Sequence, residues 1–120
     1  MCSSDLYFNL EKYNEAIDYY KKASKSESNL ILEGAYSGLA VCYEFQNNFN
    51  EAIKSYESAL ENSTSIDSKG KYQYFIALCY EKLGEKDKAE KLFREILITN
   101  KSEFVSQAKI GLIRLGTEIE

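Results

Sequence analysis

The stretch at residues 13–23, Tyr-Asn-Glu-Ala-Ile-Asp-Tyr-Tyr-Lys-Lys-Ala, returns 36 residues later at 49–59 as Phe-Asn-Glu-Ala-Ile-Lys-Ser-Tyr-Glu-Ser-Ala. A third, worn copy occupies residues 86–96, with Ala89 standing 37 residues after Ala52. Self-similarity at a period of about 34 to 40 residues is the mark of helix pairs stacked in a row. One such pair cannot bury its apolar face alone, so each unit must be covered by its neighbours. The expected fold class is therefore all-α, a solenoid of antiparallel helix pairs.

The spacing of apolar residues divides the chain. Residues 7–10 are expected to be the end of a shortened first helix, 11–13 a tight turn, and Asn14 the cap of a second helix carrying Ala16, Ile17, Tyr20 and Ala23. Asn29 is expected to cap a helix over 30–45, with Leu32, Tyr36, Leu39, Ala40 and Tyr43 on one face. A turn follows at 46–49, and Asn50 caps the partner helix bearing Ala52, Ile53, Tyr56, Ala59 and Leu60. Ser65 opens a helix over 66–83 with Ile76, Ala77 and Tyr80 in step with Leu39, Ala40 and Tyr43. Gly70 weakens that helix near its start, and Gly84 supplies the positive φ of its end. Asp87 stands where Asn14 and Asn50 stood, ahead of Ala89, Leu92, Phe93, Ile96 and Leu97. Ser102 is expected to cap a last helix over 103–115, with Phe104, Val105, Ala108, Leu112 and Leu115 inward and Gly116 ending it.

Composition narrows the function. No apolar run approaches the roughly 18 residues of a membrane span. Net charge is −4, and residues 1–60 carry five Lys/Arg against nine Asp/Glu while 61–120 carry ten of each. Neither half offers the concentrated positive face that displaces counterions from phosphates, so nucleic acid is not an expected partner. Lys82, Lys86, Lys88, Lys91 and Arg94 instead alternate with Glu81, Glu85, Asp87, Glu90 and Glu95, as on a solvated helix surface.

Cys42 and Cys79 each precede a tyrosine and lie 37 residues apart, so they read as small core residues. With no histidine and no Cys-x-x-Cys pair, zinc and thiol–disulfide chemistry lack their ligand spacing, and no metal or cofactor is expected. Catalysis lacks its usual base, and the carboxylate pairs Glu15/Asp18 and Glu51/Glu57 lie on charged helix faces. No enzyme is expected. At the N-terminus no charged segment and apolar core precede Cys2, which argues against a secretory leader. Residues 2–6, Cys-Ser-Ser-Asp-Leu, resemble the translated end of a common sequencing adapter. Residues 1–6 are therefore expected to be foreign and the natural chain to begin upstream, which leaves a cytoplasmic or a periplasmic location open.

The recurring residues resemble those of the tetratricopeptide repeat family, in which antiparallel helix pairs stack into a right-handed superhelix. Ala40 and Ala77 match the small residues of the first helix in a pair, and Ala16, Ala52 and Ala89 those of the second. Tyr7, Tyr43 and Tyr80 match one large contact, and Tyr20, Tyr56 and Phe93 the other. Ser28, Thr64 and Lys101 stand where the family has proline. The long first helices are similar to bacterial repeats of the cell-envelope kind. The resemblance implies repeats at 7–28 (first helix truncated), 29–64 and 65–101, then a capping helix at 102–116.

It also implies a concave groove lined by the first helix of each pair and holding a peptide or partner protein. By register the groove residues are Gly34, Ser37, Val41, Glu44 and Phe45, then Lys71, Tyr74, Leu78, Glu81 and Lys82. Phe45 and Tyr74 are the expected aromatic anchors, against the alternative that both rings cover neighbouring helices. A carboxylate clamp of the co-chaperone kind is not expected, since its places hold Asp5, Gly38, Lys71 and Phe75, of which only Lys71 fits. Ile110 and Ile113 fall opposite the inward face of the last helix. They point to a homodimer through that helix or to a lost neighbour, unless residues 117–120 fold back over them. The expected role is a protein-binding scaffold without catalytic activity. The alternative is a structural segment of a larger envelope-assembly or regulatory protein whose effector domain lies elsewhere.

Overall fold

The computed structural model describes residues 3–99 and 103–116, and among these every regular element is a helix. In order they are α1 (Ser3–Ala23), α2 (Asn29–Phe45), α3 (Phe49–Glu61), α4 (Ile66–Lys82), α5 (Lys86–Thr99) and α6 (Val105–Arg114). The chain forms two compact units, Met1–Asn62 and Ser63–Glu120, so α1–α3 belong to the first and α4–α6 to the second.

In the first unit α2 packs against both α1 and α3. Ile17, Leu39 and Cys42 are buried together, with Tyr13, Ala16, Tyr20, Tyr36 and Tyr43 half-buried around them. In the second unit α5 packs against both α4 and α6. Its core is Ala77, Ala89, Phe93, Ile96, Ala108 and Leu112. Every alanine that recurs in step from Ala40 onward is fully buried: Ala40, Ala52, Ala77 and Ala89. A larger side chain at any of them would hold the axes apart, at about 1–3 kcal/mol for each misfit. Gly111 shows how close the axes come, since a Cβ there would lie under 3.0 Å from the ring of Phe93.

The turns after α2 and α4 are the same object built from different residues. Asn47 (φ 58°) and Gly84 (φ 79°) each take the left-handed conformation. The next amide donates back to the tyrosine five residues earlier, Asn48 N–H to the Tyr43 carbonyl and Glu85 N–H to the Tyr80 carbonyl, both at 2.8 Å. With Asn47 N–H to Glu44 and Gly84 N–H to Glu81, this is the Schellman pattern, which satisfies the orphan carbonyls of a helix end. The start of α4 is capped as expected: Ser65 Oγ accepts from the Ser68 amide at 3.0 Å.

Other boundaries differ from the sequence reading. Helix α1 runs unbroken through residues 11–13, where a turn was expected. Glu-Lys-Tyr holds no glycine or asparagine to adopt a left-handed corner, so nothing there stops a helix. Asn14 therefore lies inside α1, and its Oδ1 accepts from Gln46 Nε2 at 2.9 Å instead of capping. Asn50 and Asp87 are likewise second residues of α3 and α5, while Asn48 holds the N-cap position of α3 without a side-chain bond. Asn29 opens α2, with Ser28 as its N-cap. Helix α4 passes through Gly70 unbroken. Helix α6 starts at Val105 with Phe104 at its N-cap, two residues later than expected, and Ser102 lies outside the described residues.

Candidate functional site

The expected groove residues divide between the units, and each set stands on its own helix. On α2, Val41 and Phe45 are exposed, Gly34 is open, and Ser37 is half-buried with its hydroxyl donating to the Gly34 carbonyl at 3.2 Å. Together with Lys12, Tyr13, Ala16 and Tyr20 of α1, this face of α2 borders an open cleft of about 490 Å³. Its floor is Cys42, whose thiol is pushed above its ordinary value by burial and stays protonated.

Phe45 is 62% exposed, yet one face of its ring stacks on Tyr13 at 4.9 Å and 9°. The contact fixes the ring and leaves its other face open, as an anchor requires. Glu44 is held otherwise: the Tyr56 hydroxyl donates to its carboxylate at 2.5 Å, tying α3 to α2.

On α4 the expected residues are more engaged. Tyr74 is half-buried among the rings of Phe93, Phe104 and Phe75, at 6.0, 5.3 and 6.0 Å. Leu78 packs on the core of the second unit. Glu81 receives both forks of the Arg114 guanidinium, Nε at 2.9 Å and a second, shorter bond from the terminal nitrogen. That hydrogen bond and charge raise the Arg114 pKa above its ordinary value. Lys71 places its ammonium 4.9 Å over the Tyr72 ring, and Lys82 is exposed. Of the clamp positions, Gly38 lies beneath the Tyr20 ring and Phe75 meets Phe104 edge-on at 6.2 Å. The Asp5 and Tyr7 side chains are not among those described.

Ile110 and Ile113 are 58% and 67% exposed on α6, and residues 117–120 lie outside the described ones. Sequence reasoning missed three features. The Glu81–Arg114 clasp spans 33 residues, and no local spacing signals it. The exposed Ile31 at the start of α2 and Ile98 near the end of α5 were also missed, each being one apolar residue off the stripe. Ile98 borders a second shallow cleft of about 450 Å³ whose other walls, Asp87, Glu90, Lys91, Arg94 and Glu95, all stand on α5. Salt bridges Lys88–Glu85 and Arg94–Glu90 mark that surface as solvated and mixed in sign.

Among the described residues no three His, Cys, Asp or Glu side chains converge to hold a metal ion, and no helix is long and apolar enough to cross a membrane. A family model described as Tetratricopeptide repeat matches residues 31–97, and a second of the same description matches 3–29. No curated protein matches the chain.

Proposed function

The chain belongs to the tetratricopeptide repeat family, and from that premise we propose that it is a non-catalytic protein-binding module whose principal site is the open face of α2. Repeats of this family mediate contacts between proteins, which makes a protein the partner class. The observation that carries the site is the α1–α2 cleft of about 490 Å³ beside exposed Val41 and the half-free ring of Phe45. Apolar walls rimmed by Lys12 and Ser37 suit the apolar face of a peptide or helix, with specificity left to the rim. The α4 set, Lys71, Tyr74, Leu78, Glu81 and Lys82, contributes less by this reading. Tyr74, Leu78 and Glu81 already hold α4 to the rest of its own unit, leaving Lys82 the more available group.

Panning a random peptide library against the chain tests the site. Selected peptides should bind the unaltered protein and lose at least about tenfold in affinity, 1.4 kcal/mol, against a Val41→Lys/Phe45→Ala variant. Equal binding to both proteins would move the site away from α2. Tyr74→Ala is a poor probe, because it opens the core of the second unit instead of a surface.

A further inference from the structure

We propose that the Glu81–Arg114 clasp is a salt-sensitive latch: it fastens α6 to α4, and raising the ionic strength loosens α6 while α4 and α5 stay packed.

The case begins with a residue that recurs and a partner that does not. A step of 37 residues carries Glu44 onto Glu81, the next-to-last residues of α2 and α4. Both are half-buried, where a carboxylate without a donor is costly. In the first unit the Tyr56 hydroxyl of α3 donates to Glu44 at 2.5 Å. The same step carries Tyr56 onto Phe93, which has no hydroxyl to give. Glu81 is served instead from α6, by Nε and a terminal nitrogen of Arg114. A step of 36 residues back from Arg114 reaches Leu78, which carries no donor. Where the tyrosine is lost the arginine is gained, so the chain keeps a donor at this glutamate while changing the helix that provides it.

The exchange alters what is held. Tyr56–Glu44 joins α2 to α3, a neighbour that already packs against it. Arg114–Glu81 bypasses α5 and joins α4 to α6, a helix that packs on α5. The buried residues of α6 are Ala108, Gly111 and Leu112 alone, two of them small. Toward α4 it is fastened at both ends: Phe104 at its N-cap lies 5.3 Å from Tyr74, and Arg114 is its last residue.

The exchange also alters how the tie responds to salt. Tyr56 is 2% exposed and donates without carrying a charge, so added ions have little to screen. Arg114 and Glu81 are opposite charges, and the Arg114 side chain is 45% exposed, within reach of counterions. With so little of α6 buried, this tie is a sizeable share of what keeps the helix closed.

Hydrogen exchange of the full chain at about 0.1 and about 1 M NaCl tests the latch, since the screening length falls from roughly 10 to roughly 3 Å over that range. Taken relative to unstructured peptide, amides of α6 should exchange about threefold faster at the higher salt, and those of α2 and α3 at unchanged rates. Arg114→Met should speed α6 at low salt by a similar factor and abolish the salt response. Glu81→Gln should abolish it too, and in Glu81→Gln/Arg114→Met α6 should exchange no faster than in Arg114→Met, because one tie is broken only once. Tyr56→Phe should loosen α3 equally at both salt concentrations.

Exchange in α6 that is indifferent to salt and to Arg114→Met would overturn the proposal, as would a salt response that persists in Arg114→Met. Equal acceleration of α4, α5 and α6 would overturn it as well, because the clasp would then brace its unit as one body.

Discussion

Two glycines in helices of this chain should respond to the same substitution with opposite signs. Gly34 has nothing within 4 Å of where its Cβ would stand, so Gly34→Ala gains helix propensity alone, about 0.5–1 kcal/mol. A Cβ at Gly111 would press into the ring of Phe93, which is wholly buried and has nowhere to go. Gly111→Ala should therefore cost about 1–3 kcal/mol. Gly38→Ala meets the same geometry beneath Tyr20, but that ring borders the open cleft and can move, so the loss should be smaller. Denaturant unfolding of the three variants checks the order. This detail was not legible in the sequence, because a glycine at a helix crossing and a glycine on a surface look alike until the partner ring is placed.

At the scale of elements, the corners after α2 and α4 depend on one left-handed residue each. Gly84 has open space around it, so Gly84→Ala is penalised only by its backbone, about 1–2 kcal/mol. Asn47→Val should cost at least as much, and Asn47→Gly should stay within about 0.5 kcal/mol of the unaltered protein. Thermal or urea melting measures all three. The helix pairs themselves were legible, because alanines and aromatics recur in step from Ala16 to Phe93 and nothing else explains that rhythm. Helix starts were not. Asn14, Asn50 and Asp87 align with one another and look like caps. Yet Asn14 lies within a continuous α1, and α3 and α5 begin one residue before the other two. An alignment of cap-like residues fixes repeat register, whereas the cap itself is decided by where the preceding turn ends.

For the whole molecule, the absence of histidine leaves no side chain of ordinary pKa to titrate between pH 6 and 8. Stability should be nearly flat there. The buried Cys42 thiol has a folded pKa raised above its unfolded value of about 9 by desolvation. Its neutral form therefore fits the fold at no penalty below about pH 9, and its contribution is lost as pH rises through the folded value. The difference in melting temperature between the unaltered chain and Cys42→Ala should accordingly be constant up to about pH 8 and narrow beyond pH 9. The candidate site was legible only as a register. Ser37, Val41 and Phe45 do stand on an open face, but the same reasoning placed Tyr74 and Glu81 there too. Their engagement with Phe104 and Arg114 depends on residues 30 and 33 positions further along the chain, which no local sequence signal brings to them.

The corners at Asn47 and Gly84 are closed by main-chain hydrogen bonds, so their bend owes little to which side chains surround them. They behave as interchangeable couplings. Residues 43–48 and 80–85 could be traded as cassettes, or one of them installed between helices from an unrelated array, and the incoming pair would leave the joint at the angle it has here.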